Sequence, residues 1–211
     1  METEEIREKK EPKRLPVWAC ILLFALGLFV CMGLYGTIGF GLLSLILGDE
    51  ARHPGLLVYT VTEANMLLSV LTPAVILLYF ERRPFSDLGL TLKGHVRGLW
   101  YGLLVAMLLY LIGFGLSLAI GEVEVTGFQF DPLNLLGTFV FCLLVALTEE
   151  IMMRGYILGR LLHTRMNKFL ALFVSALLFA LLHIFNPNVA FLPMLNLVIA
   201  GMLIGASYLY T

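Results

Sequence analysis

An all-helical bundle crossing a membrane several times is the fold class this sequence predicts, and three observations carry it. Sixty per cent of the 211 residues are hydrophobic and only 14% are charged, whereas soluble domains carry about a quarter charged residues. The apolar residues gather in runs of about 20, the length that crosses a ~30 Å hydrocarbon core. The cations keep to alternate connections: twelve of the 14 Lys and Arg residues precede the first run or lie in or at the edge of the second and fourth connections, and the other connections hold only Arg52. That alternation follows the positive-inside rule and predicts a cytoplasmic N-terminus. The net charge of −1 is localised, and neither a basic face nor a recognisable module supports nucleic-acid binding.

In chain order, residues 1–16 read as a charged cytoplasmic tail and residues 17–211 as one membrane domain of about six transmembrane helices. The first run, Val17 to Leu47, is too long for one straight span. Its Gly33, Gly36, Gly39 and Gly41 mark a bend or a close helix contact. The second is Leu56–Phe80, with Pro73 as a kink. Glu81–Arg97 is too polar to span; Leu88, Leu90 and Leu92 among polar residues suit a segment at the membrane surface or a plain loop. The third run is Leu99–Ile120, the fourth Leu133–Leu162, the fifth Phe169–Ile184 and the sixth Ala190–Tyr210. The fifth is short for a full crossing. Cys20, Cys31 and Cys142 have the spacing of neither a zinc knuckle nor a disulfide framework, and read as small buried residues.

The fourth run carries Thr148-Glu149-Glu150-Ile151-Met152-Met153-Arg154. Each charge inside a bilayer costs roughly 2.5–3.5 kcal/mol on insertion scales, so such groups pair, line a wet cavity or do chemistry. On a helix Glu150 and Arg154 share a face, with the acid on the favourable N-terminal side. Glu149 points about 100° away and is left to face something else. The next intramembrane polar group is His183. At 1.5 Å per residue Glu149 stands about 16 Å above the cytoplasmic end of its helix and His183 about 21 Å above it, a match within about 5 Å in depth. A glutamate and a histidine meeting in a cavity sheltered from bulk water can hold and deprotonate a water molecule. Glu63 and Asn65 either line the same cavity or cap a kink, and Asn186, Asn188 and Asn196 are candidate donors into it. Gly155 and Gly159 form a packing step. His53, His95 and His163 fall in loops.

Glu149-Glu150-x-x-x-Arg154 followed by Phe179-x-x-x-His183 on the next helix resembles the first two motifs of the CPBP family, the CAAX proteases and bacteriocin-processing (Abi-type) proteases. The resemblance runs from about residue 82 to 211, with Arg82–Leu90 similar to a segment often seen before the family core. It implies an intramembrane endopeptidase acting on membrane-associated protein substrates. Glu149 and His183 would activate the attacking water, with Glu150, Arg154 and Phe179 in support. In its best-known branch the family removes three residues from prenylated CAAX proteins; other members are assigned to bacteriocin immunity or membrane anchoring, the alternative for a catalytically degenerate chain. A zinc ion on Glu149 and His183 is a metalloprotease-like reading that the analogy offers, but a catalytic zinc wants three protein ligands plus water. The family's later His-x-x-x-Asn helix has no counterpart, since no histidine follows His183. Truncation of a longer protein is the expectation for that absence. A transporter is disfavoured by the lack of a repeated half.

Overall fold

Every apolar run of the sequence forms a helix, and no strand occurs among the described residues. The computed structural model describes residues 15–53, 55–91, 94–187 and 189–210. The expected tail over 1–16, Lys93 and Asn188 therefore lie wholly or almost wholly outside the described residues. The helices are α1 (Val17–Leu47), α2 (Leu56–Phe80), α3 (Val96–Ala119), α4 (Pro132–Leu162), α5 (Lys168–Leu182) and α6 (Phe191–Tyr210). All but α5 are long and apolar enough to cross a bilayer. The chain is an integral, multi-pass membrane protein. The fifth of the six runs is as short as its sequence suggests: α5 has 15 residues, about 22 Å of helix against a ~30 Å core.

The helix ends have local causes. Asp131 opens α4 by accepting from the backbone N–H groups of Leu133 and Asn134, both at 3.1 Å, with Pro132 in the first helical position. Asn167 opens α5 by accepting from Phe169 N–H at 2.8 Å. At the end of α2, Arg82 takes a left-handed conformation (φ 53°), and the N–H of Arg83 closes onto the carbonyl of Leu78. That geometry stops a helix, and Pro84 follows it.

Small residues set the closest contacts. A Cβ on Gly27 would lie 2.7 Å from the Pro73 side chain, and one on Gly39 would overlap Asn65, so α1 and α2 pack closely at both points. Gly33, Gly36 and Gly41 face open space instead, so of the four expected contact glycines only Gly39 serves. On the other side α6 meets α5 where Gly201 faces Ala176 and Gly205 faces Leu172. Between these two pairs stands the lower half of α4. α3 has no buried residue; an all-apolar helix of this kind belongs against lipid.

The lower half of α4 departs from α-helical winding. Ile151–Leu158 forms wider π-helical turns, and all eight residues are buried. Widening misaligns backbone carbonyls that an α-helix would satisfy. Ser175 of α5 donates its hydroxyl to the Met153 carbonyl at 3.3 Å, which serves one of them. Phe24 of α1 stacks on Tyr156 at 4.3 Å, and Leu88 lies over Gly155. Every neighbour of this segment thus comes from a different part of the chain.

Candidate active site

Glu149 and Glu150 end the α-helical part of α4, immediately before the π-helical turns. Glu150 Oε1 lies 3.2 Å from Arg154 Nη1, the ion pair expected from the i,i+4 spacing. The arginine is buried and its partner half-exposed. Glu149 turns the other way and places Oε1 3.5 Å from Nε2 of His183, the first residue past α5.

Phe179 links the two pairs. The Arg154 guanidinium sits 5.0 Å from the Phe179 ring centroid. The same ring meets His183 edge-on, with centroids 4.8 Å apart at 61°. Glu150, Arg154, Phe179, His183 and Glu149 therefore form one continuous arc between α4 and α5. Arg154 Nη2 is buried without a hydrogen-bond partner; its stacking on an aromatic face supplies attraction where a partner is lacking.

The imidazole's own partner fixes its chemistry. His183 Nδ1 lies 2.9 Å from the Phe179 carbonyl. A carbonyl only accepts, so Nδ1 carries a proton and donates it there. In the neutral ring Nε2 is then an acceptor, and it faces a carboxylate, which in its ionised form also only accepts. Two acceptors 3.5 Å apart have no direct hydrogen bond to make. As two acceptors side by side, they leave room for a shared hydrogen-bond donor rather than for a bond to each other. The two side chains remain a quarter to a third exposed, so the pair opens on one side.

The remaining candidates divide. Glu63 of α2 lines a cavity of about 230 Å³ between α1 and α2 with Asn65 and Ser69. Asn186 and Asn196 are exposed. Gly155 and Gly159 serve packing, Gly155 against the Leu88 backbone. His53, His95 and His163 are exposed, as loop residues should be. Cys20 is buried, but Cys142 is exposed on the outer face of α4, correcting its reading as an interior residue.

Sequence reasoning missed a second polar cluster. Arg160, taken as a turn cation, lies in the last helical turn of α4, is 5% exposed and pairs with Glu81 at the end of α2. It also stacks 5.1 Å from the Tyr156 ring centroid. Cys20 Sγ donates to Glu81 Oε1 at 2.7 Å, and the Tyr156 hydroxyl donates to the Cys20 carbonyl at 3.4 Å. The signal was present as an acid and an arginine each bordering an apolar run.

A metal finds no adequate donor set. Among the described residues no group of three or more His, Cys, Asp and Glu side chains converges as a metal site. Glu149 and His183 supply two protein ligands where catalytic zinc usually takes three, so the metalloprotease-like reading has no support.

Residues 131–211 match the family model described as type II CAAX prenyl endopeptidase Rce1-like. The match opens on Asp131, the residue that caps α4, and contains all five residues of the arc. No curated protein and no solved structure matches the chain.

Proposed function

We propose, from the match of residues 131–211 to the type II CAAX prenyl endopeptidase Rce1-like family model, that this protein is an intramembrane endopeptidase of the CPBP family. It hydrolyses peptide bonds in membrane-associated protein substrates. The observation that carries the reading is the facing of Glu149 Oε1 and His183 Nε2 at 3.5 Å, with Nδ1 committed to a carbonyl.

In this reading a water molecule donates one hydrogen bond to Glu149 and one to His183, leaving its lone pairs free. As the water oxygen attacks the scissile carbonyl, Glu149 takes a proton as general base. Delivery of a proton to the departing amine completes hydrolysis, and His183 is placed to share it. Phe179 and the Glu150–Arg154 pair are positioning residues that hold the imidazole and the helix end. The side carrying the clustered cations is cytoplasmic, and substrate reaches the open side of the pair from the membrane plane or from that surface.

The test is cleavage of a membrane-anchored peptide by purified protein in proteoliposomes. Glu149→Gln is expected to lower the rate by about 10²–10⁴, the range for loss of a general base, with thermal unfolding unchanged. Full activity in that variant removes Glu149 from the role. A cellular phenotype that survives both Glu149→Gln and His183→Ala would instead favour a non-catalytic anchor or bacteriocin-immunity role.

A further inference from the structure

A second cavity, of about 270 Å³, lies away from Glu149 and His183, where the ends of α2, α4 and α6 come together. Its polar lining includes Arg83, Ser86, Asp87, Arg160, His163 and Tyr208. Gly155 and Gly159 form part of its wall. We infer that this cavity binds the phosphate of an anionic phospholipid headgroup.

Position along the membrane normal is the first support. Trp18 at the start of α1, Trp100 and Tyr101 at the start of α3, and Tyr210 at the end of α6 are all strongly exposed. By chain direction these positions fall at the same end of the bundle as the cavity. Exposed Trp and Tyr residues gather at headgroup level. The cavity is therefore at the depth of the lipid phosphates.

Charge is the second support. The rim segments around the cavity carry Arg82, Arg83, Arg160, Arg165 and Lys168 against Glu81 and Asp87. Arg160 is consumed by Glu81 and by Tyr156. Arg83 is not: Asp87 holds it through one Nη1–Oδ2 contact at 3.3 Å. A guanidinium has five N–H donors, so the rest of its fork is available to a phosphate oxygen. Ser86 and Tyr208 add hydroxyl donors. His163 donates from Nδ1 to the Gly159 carbonyl at 2.6 Å and also lines the cavity. Basic pockets between transmembrane helices at this level suit anionic headgroups, and an arginine fork suits phosphate.

The full chain in detergent is tested by thermal unfolding and by native mass spectrometry, with phosphatidylglycerol, phosphatidylcholine or inorganic phosphate added. Phosphatidylglycerol is expected to raise the unfolding temperature and to remain bound, with phosphatidylcholine weaker. Arg83→Ala should weaken phosphatidylglycerol binding about tenfold, the size of one lost hydrogen bond to a charged group. Ser86→Ala, which leaves the Arg83–Asp87 pair intact, should weaken it less. Equal stabilisation by both lipids, or undiminished binding in folded Arg83→Ala and Ser86→Ala proteins, would overturn the proposal. An equal effect of inorganic phosphate alone would also overturn it, making the ligand a free anion.

Discussion

Glu149 and Glu150 are neighbours in sequence with opposite surroundings, and their divergence was readable from helix geometry alone. The four-residue step to Arg154 identified Glu150 as the paired acid, leaving Glu149 for the next helix. Phe179 was carried by the motif only as a supporting residue, and its contact with Arg154 was not legible, because a cation over a ring leaves no spacing signature across two helices. Arg160 was misplaced for a related reason. A basic residue near the end of an apolar run reads as a solvated anchor, and only the fold reveals that Glu81 meets it in the interior. Burial gives that pair a measurable asymmetry. Glu81→Ala strands a buried guanidinium and should destabilise by about 3–5 kcal/mol, whereas replacing both partners with apolar residues of similar volume should recover much of the loss. A double-mutant cycle on unfolding in detergent checks this.

The π-helical turns of α4 were not legible in the sequence. Ile151-Met152-Met153 is unremarkable helix-forming material, and the widening is sustained by tertiary contacts: Ser175 on the Met153 carbonyl, Phe24 on Tyr156 and the Leu88 backbone on Gly155. The Gly155-x-x-x-Gly159 step was recognised as packing, yet the two glycines are not equivalent. A Cβ at Gly155 would approach the Leu88 carbonyl oxygen to 2.5 Å, whereas one at Gly159 would find nothing nearer than 3.6 Å. Gly155→Ala is therefore expected to cost about 1–3 kcal/mol, as overpacking against backbone usually does, while Gly159→Ala should be near neutral. Unfolding curves of the two variants decide it. Residues 81–97 were expected as a surface segment or a plain loop; the 3₁₀ turn Phe85–Leu88 leaves Phe85 exposed but sends Leu88 into the core against α4.

At the scale of the molecule the number of apolar runs and most of their boundaries were legible, since hydropathy and length alone define a span. What hydropathy could not distinguish is which apolar helix faces protein and which faces lipid. α3 and α5 have similar composition, yet α3 buries nothing while α5 buries six residues. Leu108→Ala on α3 is accordingly expected to shift the unfolding temperature far less than Leu172→Ala on α5, where removal of a packed leucine costs about 2–5 kcal/mol in protein cores. The same arrangement has a consequence for biogenesis. α1 and α2 can pair through Gly27–Pro73 and Gly39–Asn65 as soon as both are inserted, but Glu81 then waits beside Cys20 for an arginine nearly eighty residues further along the chain. Assembly is thus ordered by synthesis: the hairpin forms first, the arrival of α4 neutralises its buried acid, and Glu149 meets its partner last, when His183 emerges.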